Sequence, residues 1–135
     1  MVITEFNKKT GILDTKFDGD VNIKEIVDYI IGTKENKSYP RILKILTDAT
    51  TANMDFTPRD LTLIVEENYR SLEKYDFIID AILLKSPKET AMSILYQELA
   101  KTNKYIFQVF STREAAIKWL QNVELPTVNN RLYNN

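Results

Sequence analysis

The chain opens with two short stretches in which apolar and polar positions trade places, Val2–Phe6 and Gly11–Phe17, separated by the polar Asn7-Lys8-Lys9-Thr10. Alternation with a period of two suits strands with one buried face, and the short polar link predicts an opening hairpin. The period then changes to that of a helix. Ile23, Ile26, Val27, Ile30 and Ile31 recur at helical spacing, and Asn22 with Glu25 forms the reciprocal pair that caps a helix N-terminus. A first helix therefore begins at Asn22 and stops near Gly32 or shortly beyond.

Downstream the two patterns alternate. Ile42-Leu43-Lys44-Ile45-Leu46 follows Pro40 and ends at Thr47-Asp48, short enough for a buried strand. Thr57-Pro58-Arg59-Asp60 places a hydroxyl at the N-cap, proline at the first helical position and a carboxylate at the third. This predicts a second helix that turns Leu61, Ile64, Val65, Leu72 and Tyr75 inward. Phe77–Leu84 is the next strand, and Ser86-Pro87-Lys88-Glu89 repeats the cap before a third helix with Ala91, Leu95 and Leu99 on its inner side. Tyr105–Phe110 is the last strand. Ser111-Thr112-Arg113-Glu114 is a further capping box, opening a helix with Ala115, Ala116, Trp119 and Leu120 on its apolar side.

The resulting order, β-β-α-β-α-β-α-β-α, is that of an α/β protein with a single mixed, largely parallel β-sheet covered by about four helices. One domain is expected over 1–125, followed by a polar tail at 126–135. The length of 135 residues supports a core without staples, and 44% apolar with 27% charged residues is ordinary globular composition. The 18 basic and 19 acidic residues are scattered, so no strong field is offered to a polyanion, and nucleic acid is not an expected partner. Ala81-Ile82-Leu83-Leu84 falls far short of the roughly 20 apolar residues that span a bilayer, so no transmembrane segment is expected. The opening Met1–Phe6 lacks a basic segment followed by an apolar stretch, which reads as a cytoplasmic protein. With no cysteine and no histidine, thiolate nucleophiles, Cys/His zinc sites and His-based triads are excluded. No cofactor and no enzymatic activity are expected.

Phe107-Gln108-Val109-Phe110-Ser111-Thr112-Arg113-Glu114-Ala115-Ala116-Ile117-Lys118-Trp119-Leu120 resembles the closing strand and helix of SpoIIAA-like proteins in the STAS domain superfamily. Phe17-Asp18-Gly19-Asp20 looks like that family's strand–glycine turn, and Leu46-Thr47-Asp48 resembles its strand ending in aspartate. The resemblance implies a mixed sheet with helices in a binding or switching module. In the family's anti-sigma-factor antagonists a serine at the start of the second helix accepts phosphate. Thr57, two after Asp55, stands at the matching position, with proline where the family motif has glycine.

Candidate sites follow from both readings. Thr57 is a helix cap on its residues alone and a phosphoacceptor in a partner switch by resemblance. Asp48 and Asp55, with Asp60, flank the expected carboxyl end of a parallel strand, the edge where α/β sheets place ligands, and form a possible polar site. Asp18 and Asp20 read as turn residues. Asp80 stands out because it lies inside an apolar strand, where a buried carboxylate needs a partner. Leu63, Tyr69, Ile94 and Tyr96 lie off the main stripes of the second and third helices, which predicts an apolar groove there. The leading expectation is a regulatory or binding module that takes an apolar small molecule or a protein partner through these helices. A second copy of the chain, giving a homodimer, suits the same apolar surface.

Overall fold

β1 (Val2–Asn7) and β2 (Ile12–Val21) form the expected antiparallel hairpin, and Gly11 closes its turn at a φ of 74°. The computed structural model describes residues 1–125, so the tail at 126–135 lies outside the described residues. Two strands run further than their apolar patterns suggest. β2 continues through Asp18-Gly19-Asp20, expected as a turn, and β3 (Ile42–Met54) continues well past Asp48. The extensions pair with each other from Asp18↔Thr51 to Val21↔Met54, after a register shift between Lys16 and Asp18. Polar side chains hold them together: Thr51 donates to Asp18 at 2.6 Å and Asn53 donates to Asp20 at 2.9 Å. This ladder carries no apolar alternation, so hydrophobic periodicity misses it.

Gly19 has a φ of 68°, left-handed backbone that side chains with a Cβ rarely adopt. Gly19→Ala is expected to cost about 1–2 kcal/mol, read as a lower urea midpoint. An unchanged midpoint would contradict the role given to this glycine.

α1 (Ile23–Glu35) begins with both halves of the Asn22/Glu25 box in place. α2 (Pro58–Ser71) has the equivalent Thr57/Asp60 box, and a 3₁₀ turn, Leu72–Lys74, follows it. β4 (Phe77–Leu83) leads through the Ser86 cap into α3 (Pro87–Leu99), then β5 (Tyr105–Phe110) and α4 (Arg113–Asn122). The cap of α4 is Thr112, which accepts from the Ala115 N–H. The Ser111-to-Glu114 box expected there does not form; the cap falls one residue later, and Ala115 has no polar side chain to complete a reciprocal pair.

The strands lie in the order β1-β2-β3-β4-β5, antiparallel between β1 and β2 and parallel elsewhere. Sequential parallel strands joined by crossovers of one hand send every crossover helix to the same face. α1, α2 and α3 accordingly pack on one side, over Leu13, Leu43, Ile45, Ile78 and Ile82. α4 follows the last strand and covers the other side with Ala116 and Leu120, against Leu46, Ile79, Ala81 and Leu83.

α3 faces the sheet differently from the expectation. Ala91 is exposed, and Leu95 and Leu99 keep 44% and 42% of their surface, whereas Glu89, Met92, Ser93 and Tyr96 turn inward. The helix is apolar on both sides, so periodicity does not choose between them. Glu89 does: its carboxylate accepts from the Met54 N–H at 3.2 Å and from the Ser86 hydroxyl, which draws that face onto the end of β3. In α4 the same comparison leaves Ala115 outside, while Trp119 packs on Phe110 at a centroid distance of 5.4 Å.

Widths decide the rest. Five strands spaced at about 4.8 Å span roughly 19 Å, about the 20 Å that three helices side by side need between their outer axes. α1 and α3 reach the flanks of the sheet, at β1 and β5, and the backbone of α2 is carried mainly on α1 rather than on a strand. Space is left beneath it.

Candidate functional site

That space is a cavity of about 100 Å³. A single water needs roughly 10–15 Å³ of such room and a benzene ring about 150 Å³, so this space holds several waters as it stands and seats a ring when its walls part. Its floor is the sheet: Phe17 of β2, Thr47 of β3, Asp80 of β4, and Tyr105 with Phe107 of β5. Tyr29 and Ile30 of α1 form one wall, Met92, Ser93 and Tyr96 of α3 the other, and Ile64 and Asn68 of α2 the roof. The lining is predominantly apolar, and three of its hydroxyls, those of Thr47, Tyr96 and Tyr105, converge on one place.

Asp80 is at the centre of that convergence. Thr47 Oγ1 donates to its Oδ1 at 3.0 Å, and Tyr105 Oη donates to its Oδ2 at 3.3 Å. Tyr96 Oη donates in turn to Tyr105 Oη at 3.1 Å, so a hydroxyl chain runs from α3 to the carboxylate. Burial pushes the Asp80 carboxyl up to about 6, against the two hydrogen bonds, which favour the charged form. Its residual surface opens onto the cavity it lines.

Aromatic rings stand on both sides of this carboxylate. Phe17 and Tyr29 meet edge to face at 5.9 Å; across the floor, Tyr96 meets Phe107 edge to face at 5.1 Å, and Tyr105 stacks on Phe107 at 6.0 Å. Burial raises the Tyr29, Tyr96 and Tyr105 hydroxyls above the ordinary tyrosine value, and the Asp80 charge adds to the effect at all three. They are neutral donors at any physiological pH. Thr15 and Tyr29 share a hydrogen bond of 3.2 Å at the β2 edge of the floor.

Asn68 and Ser93 differ from these groups. Asn68 is 6% exposed and Ser93 7%, both line the cavity, and neither side chain has a hydrogen-bond partner among the described residues. A buried polar group without a partner is costly, so both are acceptor or donor capacity waiting in the wall.

Only part of the predicted set is gathered here. Tyr96 lines the cavity, but Leu63, Tyr69 and Ile94, at 45%, 47% and 51% exposure, lie on the outer surfaces of α2 and α3. The cavity lies beneath the helices, and those three residues do not line it. Asp48 does not end its strand; it sits within β3, where Thr50 donates to it through its N–H at 3.0 Å and its hydroxyl at 2.6 Å. Partial burial opposes its ionisation, yet those bonds, with Lys16 and Arg113 nearby, hold the carboxyl below the usual range. Asp55 is exposed and pairs with Lys88 at 3.4 Å. Thr57 Oγ1 accepts from the Asp60 N–H at 3.1 Å, and the Asp60 carboxylate accepts from the Thr57 N–H at 3.0 Å. Among the described residues no cluster of three or more Asp or Glu side chains is placed to hold a metal ion. No helix among them is long and apolar enough to cross a membrane.

Sequence reading singles out Asp80 but none of Tyr29, Thr47, Asn68, Ser93 and Tyr105. The signal for Asp80 is a charge interrupting an apolar strand, whereas the others sit at ordinary positions and meet only through the fold.

No known family profile matches the chain, and no curated relative does. Among solved structures, it is similar to an uncharacterised protein of the DUF3478 family with a SpoIIAA-like fold from Shewanella loihica PV-4. The two share 12% identity with a TM-score of 0.58, over 89% of this chain and 92% of that one. The fold of this chain is therefore SpoIIAA-like, with the single mixed sheet and four helices that the resemblance of its closing strand and helix implied.

Proposed function

We propose that the protein is a binding module, without catalytic activity of its own, that takes a small, mainly apolar molecule with one polar end into the cavity beneath α2. The observation that carries this reading is the asymmetry of the lining: apolar and aromatic walls, with Thr47, Tyr105 and, through it, Tyr96 drawn together around Asp80. Ligand pockets have this composition, because apolar walls supply affinity and a few placed polar groups supply orientation. Seating a ring requires the walls to part, and α2, whose backbone neighbours α1 more than any strand, is the element placed to move.

The test uses 2-phenylethanol, a neutral molecule with one ring and one hydroxyl, followed by ligand-observed NMR and thermal shift. Binding is expected in the wild type. Ser93→Met extends a flexible apolar side chain into the cavity and is expected to weaken binding by about tenfold or more, equivalent to roughly 1.4 kcal/mol, with little change in Tm. Equal binding by the wild type and this variant would count against the cavity as the site.

A further inference from the structure

We propose that the molecule this cavity selects is a hydrophobic amine, an ammonium head on a small aryl or alkyl body, with the head seated on Asp80 between the tyrosine rings. The inference rests on the reading of the cavity as a ligand site and names the chemistry that site recognises.

The argument begins with a charge that lacks an opposite. Among the described residues no lysine or arginine lines the cavity, and the two that contact the Asp80 carboxylate, Thr47 and Tyr105, do so with neutral hydroxyls. Buried charges in proteins are paired, because a carboxylate taken out of water alone is costly. Each Asp80 oxygen accepts one bond from the protein, and a carboxylate oxygen has room for a second. The open positions suit a donor bearing positive charge.

The surroundings discriminate in the same direction. Tyr29, Tyr96 and Tyr105 line the cavity, and Tyr105 and Tyr96 bring neutral hydroxyl oxygens to the carboxylate, which a second donor there can also meet. Asn68 contributes a carbonyl oxygen from the roof and Ser93 a hydroxyl from the wall, both without a protein partner among the described residues. An anionic head would meet the Asp80 charge with no cation to offset it. A neutral alcohol leaves the carboxylate unpaired.

The pH dependence of amine binding follows from the groups around the site. α1, α3 and β5 present Tyr29, Tyr96 and Tyr105, all held above the ordinary tyrosine value, and α2 presents no titratable side chain to the cavity. Glu89 at the start of α3 is held below the usual carboxylate range: burial opposes its ionisation, but bonds from Ser86 and Met54 outweigh it. Between pH 5 and 8 Asp80 changes charge, around 6, while an aliphatic amine stays protonated. Preference for the amine is therefore present at pH 8 and fades as the pH falls through about 6.

The experiment compares 2-phenylethylamine, 2-phenylethanol and 3-phenylpropionate by isothermal titration and NMR, on the wild type and Asp80→Asn. At pH 8 the wild type is expected to bind the amine at least about tenfold more tightly than the alcohol, the difference between a charge-assisted and a neutral hydrogen bond. The acid should bind most weakly. Asp80→Asn should lose the preference for the amine while keeping the alcohol. Equal affinity of the wild type for amine and alcohol overturns the amine inference and leaves the cavity reading standing; failure of all three to bind overturns both. If Asp80→Asn does not fold, the wild-type pH series carries the test, and an amine preference unchanged from pH 8 to pH 5 overturns the inference.

Discussion

Asparagine in place of Asp80 is expected to stabilise the protein at neutral pH by up to about 3 kcal/mol, a large gain for a single substitution. The carboxyl is held at about 6, against an ordinary 3.8, because burial disfavours its charged form. The sign follows from proton linkage. A carboxyl raised in the folded state binds its proton more tightly there than in the unfolded chain, so its contribution is fully present below about 3.8 and is lost as pH rises to about 6. Above that the folded protein carries the whole cost, about 1.4 kcal/mol for each tenfold change in proton affinity. Asparagine keeps the shape, and its carbonyl and amide still meet the rotatable hydroxyls of Thr47 and Tyr105. Urea denaturation of both proteins from pH 4 to pH 8 should show the variant's advantage opening between pH 4 and pH 6 and then holding level. Other carboxylates that titrate at acid pH, such as Asp48, Glu25 and Glu89, occur in both proteins and cancel in the difference. A wild type as stable as the variant at pH 7 would contradict the description of Asp80 as a charge without compensation.

Shortening Leu120 to alanine is expected to cost about 3–5 kcal/mol, the upper part of the range for a fully enclosed leucine. Leu120 is 0% exposed and packs with Ala116 against Leu46, Ile79, Ala81 and Leu83. Three helices share the opposite face, but among the described residues only α4 covers this one. No neighbouring helix is available to close over the gap, so little of the lost packing is recovered. The fall should appear as a drop in Tm on the order of 10 °C for a chain of this size. A loss below about 1 kcal/mol would mean that the far face does not depend on α4.

The element order was legible because its signals are local. Three of the four helix caps, Asn22, Thr57 and Ser86, stand where hydroxyl or amide side chains precede the helical period, and each accepts the expected backbone N–H. What escaped was set between distant residues. The extensions of β2 and β3 are joined by Thr51 to Asp18 and Asn53 to Asp20, pairs 33 positions apart that leave no apolar trace. The inner side of α3 was chosen by Glu89 reaching Met54 across 35 positions, against a helix apolar on both sides. The site was legible in one residue: Asp80 violates its strand's pattern, and such violations concentrate where a protein does something other than fold. Tyr29, Tyr96 and Tyr105 come to it from α1, α3 and β5 only because the fold sets α1, α2 and α3 on one face of the sheet, around the space they share.

The most direct test of that space as a ligand site is a ¹H–¹⁵N and side-chain methyl NMR titration of the wild-type protein with 2-phenylethanol, whose neutrality separates the site from the charge it prefers. Saturable shifts are expected at Ile30, Ile64, Met92 and Ser93, with the signals of Thr47 and Asp80 moving alongside them. Shifts confined to the outer residues Leu63, Tyr69 and Ile94, or no saturable shift at all, would contradict the assignment of function to the cavity beneath α2.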